Sequence, residues 1–101
     1  MKECKSVFVY EYNPGKGIHY GLIILIELAD NYYLGGCSLT HISESHDIPL
    51  YILIPIIYKI KEIGLIGCRD SDCDWLFLEK EPHNSWIIEV VGTLKALFKE
   101  K

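Results

Sequence analysis

The amino-acid sequence predicts an α+β domain in which two helices cover one face of an antiparallel sheet, as a two-layer sandwich. Two observations support this fold class. In the first forty residues, apolar and aromatic residues form short blocks between turn signals, as in strands; in the second half they recur every three or four residues, as on a helix face. The predicted order is βββ-α-ββ-α. Because the 101 residues contain no linker or repeat, we expect one domain spanning residues 1–101.

The first half is predicted to be a three-stranded meander. Its strands cover residues 6–12, 19–29 and 32–41, separated by turn residues at 13–17 and 30–31. The second strand is apolar on both faces, which favours a central place in the sheet. Gly35 and Gly36 in the third strand predict a bulge or a close approach of two backbones.

The second half is predicted to hold two helices with a hairpin between them. A helix over residues 47–63 is capped by Asp47, presents isoleucines on one face, and either kinks or begins near Pro55. Residues 65–68 and 75–79 form a hairpin around an acidic turn at residues 70–72. The last helix, residues 86–99, follows a cap at Asn84 or Ser85.

The charge pattern argues against nucleic-acid binding. The net charge is −4, and Arg69 is the only arginine among ten basic residues, whereas surfaces that bind phosphate backbones are rich in cations. Tyr10 and Tyr12 share one strand face, which would suit base stacking. However, residues 1–33 hold three lysines against four acids. We therefore expect no nucleic-acid partner.

The sequence also predicts a cytoplasmic protein with reduced cysteines. It shows no basic segment followed by an apolar stretch and a small-residue cleavage site, as an export signal would. We therefore expect the four cysteines to be thiols, mostly in the core. The longest apolar run, residues 48–58, contains two prolines and is shorter than the roughly 20 residues of a membrane span. No motif indicates a cofactor.

The acidic hairpin turn is the main candidate for a binding surface. Five carboxylates and two bases lie between residues 69 and 81, and such clusters attract basic protein surfaces, although many charge runs only keep a protein soluble. The spacing also matches a calcium loop, but Trp75 stands where that loop requires glycine. We expect a protein-binding domain, an inhibitor or immunity-type protein that neutralises a basic partner such as a nuclease toxin or a nucleic-acid-binding effector. The predicted contact residues are Asp70, Asp72, Asp74 and Glu81 as charges, with Tyr10, Tyr12 and Trp75 as aromatic anchors.

Two other classes of function remain open. Cys37, His41, His46 and Asp47 are the residue types of a small cysteine- and histidine-dependent enzyme or of a metal site. Along a strand, Cys37 and His41 would lie about 13 Å apart, too far to share a metal unless the strand bulges or ends. A buried thiol with surface imidazoles is the plainer interpretation. The third class is a homo-oligomeric structural domain, a dimer through a strand edge or through the helix that begins at Trp86.

Overall fold

A computed structural model describes residues 14–98 of the chain. The elements, in chain order, are α1 (Pro14–Asp30), a 3-10 turn (Tyr32–Leu34), β1 (Cys37–Ser38), α2 (Leu39–His46), α3 (Leu50–Glu62), β2 (Ile66–Cys68), β3 (Trp75–Leu78) and α4 (Trp86–Leu97). The strands form an antiparallel sheet with β3 between β1 and β2. The α+β class with an antiparallel sheet is confirmed.

The helix α1 lies at the centre of the core, where the sequence predicted a strand over residues 19–29. Ile24, Leu25 and Leu28 are completely buried, and the helix packs against α3, α4 and β3. Its exposed side includes Ile26, which is 44% exposed, and the half-buried Ile23, so the run Leu22 to Ile26 is apolar on every side of the helix and hides the helical period. The predicted strand is wrong for this reason. The predicted first strand, with Tyr10 and Tyr12, lies outside the described residues.

The predicted third strand, residues 32–41, is largely replaced by other structure. Gly35 and Gly36 both have positive φ, and only Cys37 and Ser38 form a strand. Gly36 lies so close to the Leu76 carbonyl that a Cβ would collide with it, which confirms the predicted close approach. The Ser38 hydroxyl then accepts a hydrogen bond from the His41 amide at 3.0 Å, and this N-cap begins α2.

The helix α3 begins at Leu50, three residues later than predicted. Asp47 is not its cap: it ends α2 in a left-handed conformation, with a φ of 54°, and its amide donates to the Ser43 carbonyl. Pro49 occupies the N-cap position of α3. Pro55 lies within the helix without ending it, although it deprives the Tyr51 carbonyl of its usual amide donor.

The hairpin and the last helix agree with the prediction. The strands β2 and β3 pair Ile66 with Leu78 and Cys68 with Leu76. The hairpin brings the Cα atoms of Cys68 and Cys73 to 4.8 Å, and the two residues form a disulfide. The prediction of reduced thiols is therefore wrong for this pair, since the turn closes to the distance that a disulfide requires. Cys37 is a free, buried thiol.

One hydrophobic core connects all of these elements. Its buried members come from the four helices and from all three strands of residues 14–98. The predicted order βββ-α-ββ-α, with two helices on one face, is thus corrected to four helices packed with a small sheet. The consequence for the surface is that the hairpin loop, the 3-10 turn and the outer side of α3 face the solvent.

Candidate protein-binding surface

The loop between β2 and β3 is held by bonds at both of its ends. The Cys68–Cys73 disulfide closes it, and the Arg69 amide donates to the Trp75 carbonyl at 2.9 Å. Cys73 has a φ of 57°, a left-handed conformation that is uncommon for a residue other than glycine. The loop therefore presents its acidic residues from a constrained backbone.

The three aspartates of the loop are all exposed, as the prediction of a binding surface requires. The carboxyl groups of Asp70 and Asp72 share a hydrogen bond, which raises the pKa of Asp70 and lowers the pKa of Asp72. The Asp74 amide also donates to Asp72 Oδ1 at 3.2 Å, and this bond favours the ionised Asp72. The two carboxyl groups repel each other when both are ionised, so the pair attracts a cation.

Trp75 supports the loop rather than standing free. Its indole Nε1–H donates to the Gly35 carbonyl at 2.8 Å, and the Arg69 guanidinium lies 4.5 Å from the centroid of its ring. The side chain is half-buried. The hydrogen bond joins the hairpin to the glycine pair that follows the 3-10 turn, so the two segments form one surface.

The 3-10 turn supplies the exposed apolar part of this surface, which the sequence analysis missed. Tyr33 is 82% and Leu34 77% exposed, and the Tyr33 hydroxyl donates a hydrogen bond to the Glu81 carboxylate. This bond to an anion raises the pKa of Tyr33. The available signal was the apolar run Tyr32 to Leu34 immediately before two glycines. Tyr32 packs partly against the core, whereas Tyr33 and Leu34 stay exposed. The hairpin surface is defined here as Tyr33, Leu34, Asp70, Asp72, Asp74, Trp75 and Glu81.

The alternative centre is only partly assembled. His41 and His46 of α2 both reach Glu27 of α1, with His41 Nε2 at 3.0 Å from Oε2 and His46 Nε2 at 3.0 Å from Oε1. These hydrogen bonds lower the pKa of Glu27, with that of His46 contributing most. Burial raises the pKa of the Cys37 thiol to about 11, and Asp47 is exposed at the end of α2. Sequence reasoning missed Glu27 because it lies 14 residues before His41.

The geometry of this centre limits its chemistry. A serine–histidine–carboxylate relay needs the hydroxyl and the carboxylate on different ring nitrogens. Here Ser45 Oγ and Glu27 Oε2 both approach the same His41 Nε2, at 3.4 and 3.0 Å. A thiol with a raised pKa is a poor nucleophile at neutral pH because little thiolate is present. Within residues 14–98, no three side chains of His, Cys, Asp or Glu are arranged to hold a metal ion.

Comparison of the chain with protein-family models, with curated proteins and with solved structures gives no match. Function must therefore be argued from the site alone. In the part of the chain that the structure describes, every helix is too short or too polar to cross a membrane.

Proposed function

We propose that this protein is a small protein-binding domain that neutralises or occupies a basic partner through the hairpin surface. The observation that carries the proposal is the position of Tyr33 and Leu34, two large and exposed side chains, beside the loop of three exposed aspartates. Protein interfaces combine an apolar or aromatic centre with a charged rim. A partner of the class predicted from the sequence, a nuclease toxin or another nucleic-acid-binding effector, has the complementary charge.

The aspartate pair supports a cationic partner in particular. Because Asp70 and Asp72 repel each other when both are ionised, a lysine or arginine from a partner would stabilise the doubly ionised form. Binding would then release the proton that Asp70 retains at low pH. We expect affinity to fall as the pH drops through the raised pKa of Asp70, because the protonated group no longer attracts the cation.

The constrained backbone supports binding by reducing its entropic cost. The disulfide and the Trp75–Gly35 hydrogen bond fix the loop and the 3-10 turn before any partner arrives. Rigid surfaces lose less conformational entropy on association than flexible ones. In this proposal Trp75, predicted to be an aromatic anchor, positions the loop. Tyr33 and Leu34 are the apolar residues that contact the partner.

The experiment is an NMR titration with a lysine- and arginine-rich peptide that carries two leucines, followed by calorimetry. We expect shift changes at the hairpin surface, and roughly tenfold weaker binding at low salt after the double substitution Asp70→Asn and Asp72→Asn. The matched control, Glu44→Gln with Glu62→Gln, removes the same charge from other exposed positions. Equal weakening by both pairs would show that only net charge matters, and would contradict the proposal.

A second test addresses the apolar contacts separately. Leu34→Ser should weaken peptide binding about equally at low and at high salt, because salt screens charges but does not weaken apolar contacts. If Leu34→Ser leaves the affinity unchanged while the aspartate substitutions abolish it, the surface attracts cations without forming an interface.

A second candidate function is DNA binding, favoured by the order of the elements. The helices α2 and α3 are joined by the three residues 47–49 and packed together, which is the connectivity of a helix-turn-helix, and a β-hairpin follows. In that motif the second helix enters the major groove. The exposed side of α3, however, carries Leu50, Tyr51, Ile54 and Tyr58, and the hairpin loop is acidic. Neither of these surfaces carries the basic residues that contact with DNA phosphates requires. DNA binding is therefore the second candidate function.

Fluorescence anisotropy with a random duplex distinguishes the two functions. The protein-binding proposal predicts no salt-dependent rise in anisotropy at micromolar protein. A saturable rise that weakens steeply with salt, and that Lys59→Gln with Lys61→Gln removes, would favour DNA instead.

A further inference from the structure

The helix α3 has two apolar faces, and the rest of residues 14–98 buries one of them. Leu53, Ile56, Ile57 and Ile60 are buried in the core. On the adjoining side, Tyr51 is 56%, Tyr58 52%, Leu50 40% and Ile54 37% exposed. These four residues are called the outer face of α3. They fall at spacings of one, three and four along the helix, so their side chains form one stripe.

A stripe of this kind differs from ordinary surface exposure. Single exposed apolar residues are normal on any protein, but contiguous ones indicate a contact site. Two of the four are tyrosines, which give a large contact area and are enriched at interfaces. The helix has no acidic residue in its first turn, and its basic residues, Lys59 and Lys61, lie in the last turn.

The exposed charges at the two ends of α3 differ in net sign and indicate what covers the stripe. Asp47 lies three residues before the helix and is exposed. At the other end Lys59, Lys61 and Glu62 are exposed, so two ammonium groups outnumber one carboxylate. Reversing the direction of an identical helix would therefore place each charge near its opposite. The helix dipoles of an antiparallel pair would also be opposed, which is the favourable arrangement. This pattern is self-complementary, as a two-fold interface between identical surfaces requires.

We infer that the outer face of α3 is a dimer interface, in which a second copy of this chain packs its own α3 antiparallel about a two-fold axis near Ile54. Leu50 then faces Tyr58 of the other copy, with Tyr51 beside the same tyrosine. The end of one copy that holds Asp47 then faces the end of the other copy that holds Lys61. The inference does not depend on the hairpin surface, and it differs from the predicted contact through a strand edge or through the helix that begins at Trp86.

The size of the stripe sets the expected strength of the dimer. A helix of 13 residues is about 20 Å long. The surface area that two such faces bury together is therefore at or below the roughly 1,200 Å² at which stable interfaces begin. We therefore expect a reversible dimer with a dissociation constant in the micromolar range, on the order of 10 μM to 100 μM. The full chain should change from monomer to dimer over that range of concentration.

The first experiment is sedimentation equilibrium of the full chain and its variants across that range. Ile54→Lys places two like charges at the axis and should weaken the dimer at least tenfold. Asp47→Lys and Lys61→Asp should each weaken it, and the two together should restore it, because the charge pair is then reversed and intact. Ile88→Lys, at a 74% exposed position on α4, is the matched control and should leave the dimer unchanged.

The second experiment uses cross-linking and does not depend on affinity. Ile54→Cys should form a disulfide-linked dimer under mild oxidation, because the two introduced thiols would face each other across the two-fold axis. Each thiol loses one hydrogen to the added oxidant, and the two sulfur atoms form the bond. Ile88→Cys should not. A monomeric mass at every concentration, equal cross-linking of both variants, or failure of the double charge reversal to restore the dimer would each overturn the inference. Duplex DNA that shifts the NMR signals of Tyr51 and Tyr58 while dilution does not would assign the face to DNA instead.

Discussion

The hairpin surface and the outer face of α3 are both exposed, but they are built in opposite ways. Bonds within the molecule hold the hairpin surface. A disulfide closes the loop, the Trp75 indole donates a hydrogen bond to the Gly35 carbonyl, and the Tyr33 hydroxyl donates one to the Glu81 carboxylate. On α3 the exposed side chains are large and apolar, and their helix is fixed by its other, buried face. The first surface is organised by specific bonds, and the second by the core beneath it.

Because of this difference, the two surfaces attract partners by different forces. Carboxylates act over about 10 Å at ordinary ionic strength and favour a basic partner before contact. Apolar side chains act only on contact, and their strength depends on the area that becomes buried. The two surfaces therefore respond differently to salt, and substitutions in one should leave the other unchanged.

The largest expected effect compares the sheet under the hairpin with the outer face of α3. Leu76 is completely buried on the central strand, so Leu76→Ala should lower the free energy of unfolding by about 3 kcal/mol. Ile54→Ala removes a partly exposed side chain from a helix and adds a better helix former, so its cost should stay below about 1 kcal/mol. Urea unfolding at low protein concentration measures both. A cost above about 2 kcal/mol for Ile54→Ala would mean that the outer face stabilises the monomer.

The second effect concerns the disulfide. Replacing Cys68 and Cys73 together by serine opens a loop of about six residues, which should cost about 2 kcal/mol of unfolding free energy in the chain-entropy model. Reductant provides the matched control: it should destabilise the natural chain by a similar amount and leave the double variant unchanged. If reductant has no effect on the natural chain, the two cysteines are not bonded in solution. Self-association through α3 should survive either treatment.

The third effect tests whether Trp75 joins the hairpin to the 3-10 turn. Trp75→Phe keeps the apolar ring but removes the donor to Gly35, which should cost about 1 kcal/mol. Amide exchange in the 3-10 turn should accelerate, because Tyr33 and Leu34 lose their connection to the hairpin. Tyr33→Phe is the comparison: its bond to Glu81 is exposed, so it should change stability very little. Equal effects from both substitutions would show that the indole bond does not hold this surface together.

The elements that the sequence predicted well are those whose pattern is local. The hairpin has aspartates at its turn and alternating burial along β3, and α4 buries Val90 and Leu94, which lie one helical turn apart. The helix α1 was misassigned because Leu22 to Ile26 are all apolar, including the exposed Ile26, so the run does not show the helical period. The helix α2 was missed because its cap, Ser38, is also the last residue of a two-residue strand. In both cases tertiary contacts decide the structure, and local sequence does not.

In the candidate site, too, some features follow from local sequence and others from contacts between distant residues. The exposure of Asp70, Asp72 and Asp74 follows from local turn chemistry, so it was predictable. The contacts of Tyr33 with Glu81, and of Trp75 with Gly35, join residues 48 and 40 positions apart, and no pattern in the sequence marks them. The role of Tyr10 and Tyr12 as anchors stays a prediction, since both lie outside the described residues.

The smallest expected effect is at Glu27, which belongs to neither surface and joins α1 to α2. The hydrogen bonds from His46 and His41 hold the pKa of Glu27 below its usual value of 4.5, although burial opposes them. A lowered pKa means that the stabilisation is fully present above pH 4.5 and is lost as the pH falls through the pKa of the folded state. Glu27→Gln should therefore cost less than about 1 kcal/mol at neutral pH, because both imidazoles are partly exposed. The difference from the natural chain should disappear in acid when urea unfolding is repeated across the pH range. A cost for Glu27→Gln that is the same at every pH would mean that packing, and not the carboxylate charge, joins the two helices.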